Sequence, residues 1–312
     1  MNLSLFDTHC DTAYEIFLRK EELSTNSLQV SLELASEFDR YCQCTAVWSD
    51  RRLSDGDAYR RFFEVYEYLR SACRSSDALL CRTYQDIQDA FDAGKRALVL
   101  TIEDARLLEG DISRLDAVRD CGVRMLTFQW QGETCIGGGF DTELPLTRFG
   151  ELLAHKCADY KIIPDISHAC ERTARGIIEI MREHGSAVIA THSNSYAVCP
   201  HRRNLTDSLF DELLECRGVV GISLAPQHLS LYSKASSDTV LSHIEHYAER
   251  GGIECICLGC DFDGIETTPS DIQNVKELYN LAEAMLSRNY TDDEVKCVFY
   301  RNARRFLQTN LI

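Results

Sequence analysis

What most constrains the fold of this chain is a beat of short apolar runs separated by stretches of helical periodicity. Eight runs read as strands: Leu3 to Phe6, Gln43 to Trp48, Ala97 to Ile102, Val123 to Phe128, Ile162 to Ile166, Ala187 to Ala190, Val219 to Leu224 and Glu254 to Leu258. Between most of them the spacing predicts helices, at Tyr59 to Cys73, Ile112 to Asp120, Phe149 to Tyr160, Glu171 to His184, Leu209 to Cys216 and Val240 to Arg250. His184-Gly185 and Arg250-Gly251 supply helix stops just before the next strand. Strands that are apolar throughout belong to a parallel sheet covered by helices. Eight such units predict an α/β fold of the (β/α)8 TIM barrel type, a single domain over residues 1–312. Two C-terminal helical stretches, Ile272 to Arg288 and Asp292 to Leu307, close it. An open doubly wound sheet is the alternative, but no G-x-G-x-x-G follows the first strand. The nearest glycine-rich stretch, Gly137-Gly138-Gly139, reads as a flexible loop rather than a phosphate cradle.

A barrel of this kind carries its chemistry at the carboxyl ends of its strands. There the sequence places Asp7, His9 and Asp11 after the first strand, and Glu103 and Asp104 after the third. His168 follows the fifth, His192 the sixth, and Asp261 and Asp263 the eighth. Each has an ordinary reading when taken singly. A lone histidine caps or hydrogen-bonds, Glu103 pairs with Arg106, and the aspartates of DFDG form a turn. Together they crowd carboxylates that repel one another, and a divalent cation resolves that repulsion. Imidazole with carboxylate, and without thiolate, suits zinc or another first-row divalent ion. Three imidazoles and at least two carboxylates exceed the three protein ligands of one catalytic zinc, so two ions are expected. His155, His184, His243 and His246 fall on predicted helices, the last two at solvent-like positions, and none is expected to bind metal. His201 and His228 lie in loops on the active face, as substrate contacts.

A net charge of −16, with basic residues only in pairs such as Arg202-Arg203 and Arg304-Arg305, argues against nucleic acid and anionic membranes as partners. No signal-like start and no run of eighteen apolar residues occur, so a soluble, cytoplasmic protein is expected. The fifteen cysteines are odd in number and many fall inside apolar runs, which predicts reduced, buried thiols. Alternation predicts Cys255 and Cys257 on one face of the last strand, as small core residues rather than a thiolate metal site.

The order DTHCD, TIEDA, GVRMLTFQW, LTRFGE, PDISHA, THSNSYAVCPHRRN and LGCDFDGIETTP resembles the membrane (renal) dipeptidase family of metallopeptidases, peptidase family M19. The resemblance runs from near residue 5 to the C-terminal YRNARRFL and points to a bacterial, cytoplasmic branch. It implies a barrel that holds two zinc ions and hydrolyses dipeptides, including those with a D-amino acid at the C-terminal position. It implies that His9 and Asp11 hold one zinc, that Glu103 bridges both, and that His168 and His192 hold the second. Asp261 matches the proton shuttle and Arg203 the grip on the substrate carboxylate. Better-known members carry a histidine where this chain has Trp130. Trp130 and His228 are therefore expected as substrate contacts, with a substrate range that differs accordingly. The alternative is a metal-dependent hydrolase of another amide, a lactam or an ester on the same barrel. The family also suggests a homodimer.

Overall fold

The structure, a computed structural model, describes residues 2–232 and 234–312. Its strands are β1 (Leu5–Cys10), β2 (Tyr41–Trp48), β3 (Ala78–Cys81), β4 (Arg96–Glu103), β5 (Met125–Thr127), β6 (Ile163–Asp165), β7 (Val220–Ile222) and β8 (Ile256–Leu258). All ladders are parallel, in the order β6-β5-β4-β2-β1-β8-β7. Isolated parallel bridges from Asp165 to Ile189 and from Ala190 to Val220 span the gap between β6 and β7. The sheet thus curls into a ring, and the expected sixth strand is reduced to Ile189 and Ala190. It stops there because the next amide, of Thr191, donates to the Asp165 carboxylate instead of to a neighbouring strand.

β3 and the helices Thr12–Arg19 and Tyr84–Asp92 lie outside the pattern read from sequence. β3 pairs with the lower half of β4, beneath β5, and is too short for its apolar run to stand out. The covering helices include Asp55–Arg74, Arg148–Tyr160, Glu171–Glu183, Asp207–Glu215 and Ser237–Gly251. Three of them begin where a hydroxyl accepts a free N–H of the first turn: Ser54 from Asp57, Thr147 from Gly150 and Thr206 from Leu209. The expected helix Asp292 to Leu307 is broken by a π turn at Cys297–Arg301. The wider turn lets Phe299 enter the outer core while the next residue, Tyr300, enters the barrel floor.

Two apolar clusters result. The larger lies between sheet and helices. The smaller fills the floor of the barrel with Phe6, Cys42, Cys44, Val99, Met125 and Cys257, and Phe306 and Leu307 of the last helix plug it from below. Cys257 points into this floor, whereas Cys255 ends a 3-10 turn, Ile253–Cys255, and packs in the outer cluster. The two thiols therefore do not share a sheet face, because β8 starts one residue after Cys255. All fifteen cysteines are free. Among the described residues no helix is long and apolar enough to cross a membrane.

Two further expectations need correction. The Gly137-Gly138-Gly139 stretch is packed rather than loose: Glu133 bridges Gly138, Gly139 bridges Ala169, and Gly138 N–H donates to Thr173. A Cβ at Gly139 would lie 2.7 Å from the Gln131 backbone, so glycine is needed there for close approach. His243 is completely buried, not at a solvent-like position. Its helix packs against β7 and β8, and the loop that holds Ser195 reaches His243 as well, so the buried stripe is wider than the spacing suggests.

Candidate metal centre

β1 ends in a register shift between Asp7 and Cys10, which re-aims the end of the strand. His9 faces the mouth of the barrel while Cys10 packs into the outer core. Asp11 follows directly, at the start of the helix Thr12–Arg19. Glu103 is the last residue of β4, and His192 follows the Ile189–Ala190 bridges. His168 and Asp261, beyond β6 and β8, adopt left-handed backbone at φ 68° and 63°, as do their rim neighbours Asp104 and Asp263. Such conformations are costly for residues with a side chain, and they gather where function requires a particular direction.

Six side chains converge. His9 Nε2 lies 3.4 Å from Asp11 Oδ2, 3.9 Å from Glu103 Oε1 and 3.9 Å from Asp261 Oδ1. It is buried and, among the described residues, makes no hydrogen bond. Glu103 Oε1 lies 3.0 Å from His168 Nε2 and 3.5 Å from His192 Nε2, and those two nitrogens are 2.9 Å apart. The rings of His9 and His192 stack at 3.7 Å. Two overlapping groups fit a cation, His9 with Asp11 and Asp261, and His9 with Glu103 and His192. Zinc bonds of ~2.0–2.1 Å in a tetrahedron put ligand atoms roughly 3.3 Å apart, close to the spacings found here. A nitrogen surrounded by three oxygens, and bonded to none of them, fits a shared ion better than a hydrogen-bond network.

The electrostatics agree. Burial pushes the Glu103 carboxyl far above its usual range, and Asp11 adds to the push. Burial drives His168 and His192 well below 6.5, helped by neighbouring cationic groups, so both present neutral nitrogens. Burial opposes a charge on His9 too, but Asp11, Glu103 and Asp261 outweigh it and raise His9 to about 10. The cluster draws positive charge, and the family of residues offered is the imidazole and carboxylate mix of first-row divalent ions. Glu103 does not pair with Arg106, whose guanidinium turns to Asp55 and to the Ser49 and Asp50 carbonyls.

Sequence reasoning overlooked Asp165 and Thr191. Asp165 Oδ2 accepts from Thr127 and Thr191, each at 2.6 Å, and Oδ1 accepts from the amides of Ser167 and Thr191. Because the Thr191 hydroxyl donates to Asp165, it accepts from His192 Nδ1 at 2.7 Å. That fixes the proton on Nδ1 and frees Nε2 for the centre, the usual service of an outer carboxylate to a ligating histidine. The only signal for it was an aspartate at a strand end in PDIS.

The centre opens into a cavity of about 300 Å³ lined in part by Trp48, Trp130, Arg203, His228 and Asp261. Arg203 is buried, with Nη1 donating to Ser193 Oγ at 3.0 Å and Nη2 to the His192 carbonyl at 2.8 Å. Its Nε, also buried, has no hydrogen-bond partner among the described residues. Trp130 packs 5.1 Å from Trp48 and 6.0 Å from His168, making an apolar wall. Burial, with Arg203 nearby, holds His228 neutral by lowering it to about 2. His201 does not line this cavity but packs against His228, its ring tilted at 42° with centroids 4.7 Å apart.

A parallel αβ barrel with imidazoles and carboxylates gathered at its carboxyl rim defines a protein with a candidate metal centre at the end of the fold where such barrels carry their chemistry. The family model described as membrane dipeptidase (peptidase family M19) matches residues 1–310, and the chain belongs to that family. The dipeptidase aclJ of Aspergillus oryzae is 30% identical over 223 residues, which are 69% of this chain and 51% of that one. The chain spans 51–59% of the length of the first curated relatives it matches. Among solved structures, the dipeptidase AC, a family M19 metallopeptidase, superposes with a TM-score of 0.92 at 24% identity, covering 100% of this chain and 99% of that one. A metallopeptidase of Rhodobacter sphaeroides, bound to a phosphinate mimic of the dipeptide L-Ala-D-Ala, superposes with a TM-score of 0.91 at 23% identity, covering 99% and 100%. The family implies metal ions, and the fold it shares with these structures is this barrel.

Proposed function

We propose that the chain is a dipeptidase working with two divalent cations, zinc first among them. The observation that carries this reading is one cavity with a cation-fitting cluster on one wall and a buried guanidinium on another. Such a cavity suits a scissile carbonyl and a free carboxylate a short span apart. His9 and Asp11 would hold one ion, His168 and His192 the other, with Glu103 shared. Held there, divalent cations would supply Lewis acidity and water of lowered pKa.

The chain's own residues supply the rest. Arg203 spends two of its five N–H donors on the protein, which locks its fork at the cavity wall, where the remaining donors would meet a carboxylate. Burial raises Asp261, against the pull of His9 and Arg203, and its carboxyl lines the cavity 3.9 Å from His9, where it would take a proton from attacking water and return it to the departing amine. Ser223 steadies Asp261 Oδ2 at 3.4 Å. Trp48 and Trp130 exclude water from one side and offer an apolar face to a substrate side chain. His228 stands beside the carboxylate end as a neutral contact.

The dipeptide mimic on the Rhodobacter sphaeroides protein supports L-Ala-D-Ala as the first compound to try. Zinc-loaded protein should release free amino acids from a panel of L,L and L,D dipeptides, and elemental analysis should give two metal ions per chain. Failure on the whole panel sinks the reading. Faster turnover of N-acyl amino acids or lactams would move it to the alternative. The homodimer and cytoplasmic location expected from the resemblance belong to the same proposal.

A further inference from the structure

His243 sits in the helix Ser237–Gly251, completely buried and outside the lining of the active cavity. Its Nδ1 accepts the backbone N–H of Ser195 at 3.0 Å, and its Nε2 lies 3.0 Å from the carbonyl oxygen of Leu229. A carbonyl can only accept and an amide N–H can only donate, so Nε2 carries the proton and Nδ1 the lone pair. Burial keeps the ring neutral, lowering it to about 4. Both ends of the imidazole are thereby satisfied, each by the backbone of a different segment.

Those two segments build the carboxylate end of the cavity. Ser195 lies two residues beyond Ser193, the hydroxyl that accepts from Arg203, in the loop that runs on to Arg203 itself. Leu229 ends the short helix Pro226–Leu229, which presents Gln227 and His228 to the cavity. Asn204 makes a second tie, its side-chain amide donating to the Cys199 carbonyl at 2.9 Å and the His228 carbonyl at 2.8 Å. Asn204, itself buried, joins the segments at the far end of the loop. His243 joins them from beneath, and it is the only strut rooted in a covering helix among the described hydrogen bonds.

We propose that His243 is a positioning residue that fixes the Arg203 loop relative to the His228 helix and thereby sets how sharply the enzyme reads a substrate's C-terminal carboxylate. The inference rests on the dipeptidase reading. Two conservative replacements separate its two bonds. In His243→Gln the side-chain amide nitrogen reaches the place of Nε2, keeping Leu229 and releasing Ser195. In His243→Asn the amide oxygen takes the place of Nδ1, keeping Ser195 and releasing Leu229.

The test compares kcat/KM for a dipeptide with that for the same dipeptide carrying a C-terminal amide, in zinc-loaded wild type and both variants, alongside bound metal and melting temperature. His243→Gln should lower the acid-to-amide preference about tenfold, the weight of one well-placed hydrogen bond, mainly through KM for the acid. His243→Asn should hold that preference near the wild-type value, and bound metal should stay constant in both. A preference unmoved in both variants, or lowered equally in both, overturns the assignment. So does loss of folding and metal together in both, which would make His243 a core residue alone. A wild type that cleaves no dipeptide sinks the dipeptidase reading and this inference with it, whereas cleavage with an unmoved preference sinks only the inference.

Discussion

At the floor of the barrel the inward side chains are thiols, aliphatics and aromatics: Phe6, Cys42, Cys44, Val99 and Cys257, stoppered by Phe306 and Leu307. At the mouth, three or four residues further along the same strands, they are His9, Glu103 and their partners, buried as deeply but charged or charge-seeking. Floor backbone lies in regular ladders, whereas Asp104, His168, Asp261 and Asp263 at the mouth are held in left-handed conformations. The difference teaches that this fold separates the part that makes it stable from the part that makes it useful. The floor is held by packing, whereas the crowded mouth is expected to gain stability from a cation bound there.

The largest effect expected of that division is at Glu103. Glu103→Gln keeps the shape but removes the shared negative charge. It should lower dipeptide kcat/KM by about a thousandfold or more, several kcal/mol of lost stabilisation. Elemental analysis should show fewer bound ions per chain. Chelation of the wild type should abolish turnover and lower the melting temperature, and readdition of zinc should restore both. Full activity after exhaustive chelation would remove the metal centre from the mechanism.

Next in size is a change at the floor. Leu307 is completely buried in the plug, and Leu307→Ala should cost about 3 kcal/mol, the transfer of the lost methyl groups plus the cavity left behind. Urea unfolding would measure it. Turnover per folded molecule should not change, because the lost contacts lie at the opposite end of the barrel from Arg203 and Glu103. A drop in kcat/KM matching the loss of stability would mean that floor and mouth are not separate.

The same contrast explains what was legible in the sequence. Apolar runs announced all eight ring positions, and the barrel rule then brought His9, Asp11, Glu103, His168, His192 and Asp261 to one rim before any coordinates. Trp130, Arg203 and His228 do line that cavity. What stayed hidden depends on partners far apart in sequence. Asp165 serves His192 through Thr191, and nothing in PDIS says so. His243 looked exposed because its partners are backbone groups of a short helix and a loop, 14 and 48 residues away. The glycines at 137 to 139 looked mobile because close packing and looseness call for the same residue.

The smallest expected effect is at the helix that braces the floor, Tyr84–Asp92. Its N-terminus is a capping box: Thr83 Oγ1 accepts from Asp86 N–H at 3.2 Å, and Asp86 Oδ2 accepts from the amides of Thr83 at 2.9 Å and Arg82 at 2.8 Å. Burial alone would raise the Asp86 carboxyl, but those amides outweigh it and hold the group below 3.8. A carboxylate lowered in the folded state adds stability that is present above its unfolded value and drains away as pH falls through its folded value. Asp86→Ala should therefore cost about 1 kcal/mol at neutral pH. The gap from wild type should narrow once the pH drops below 3.8, as urea midpoints across that range would record. Dipeptide turnover at neutral pH should be the same in both proteins. If it falls in Asp86→Ala, strain at the floor reaches the mouth, and the separation of the two ends fails at its gentlest test.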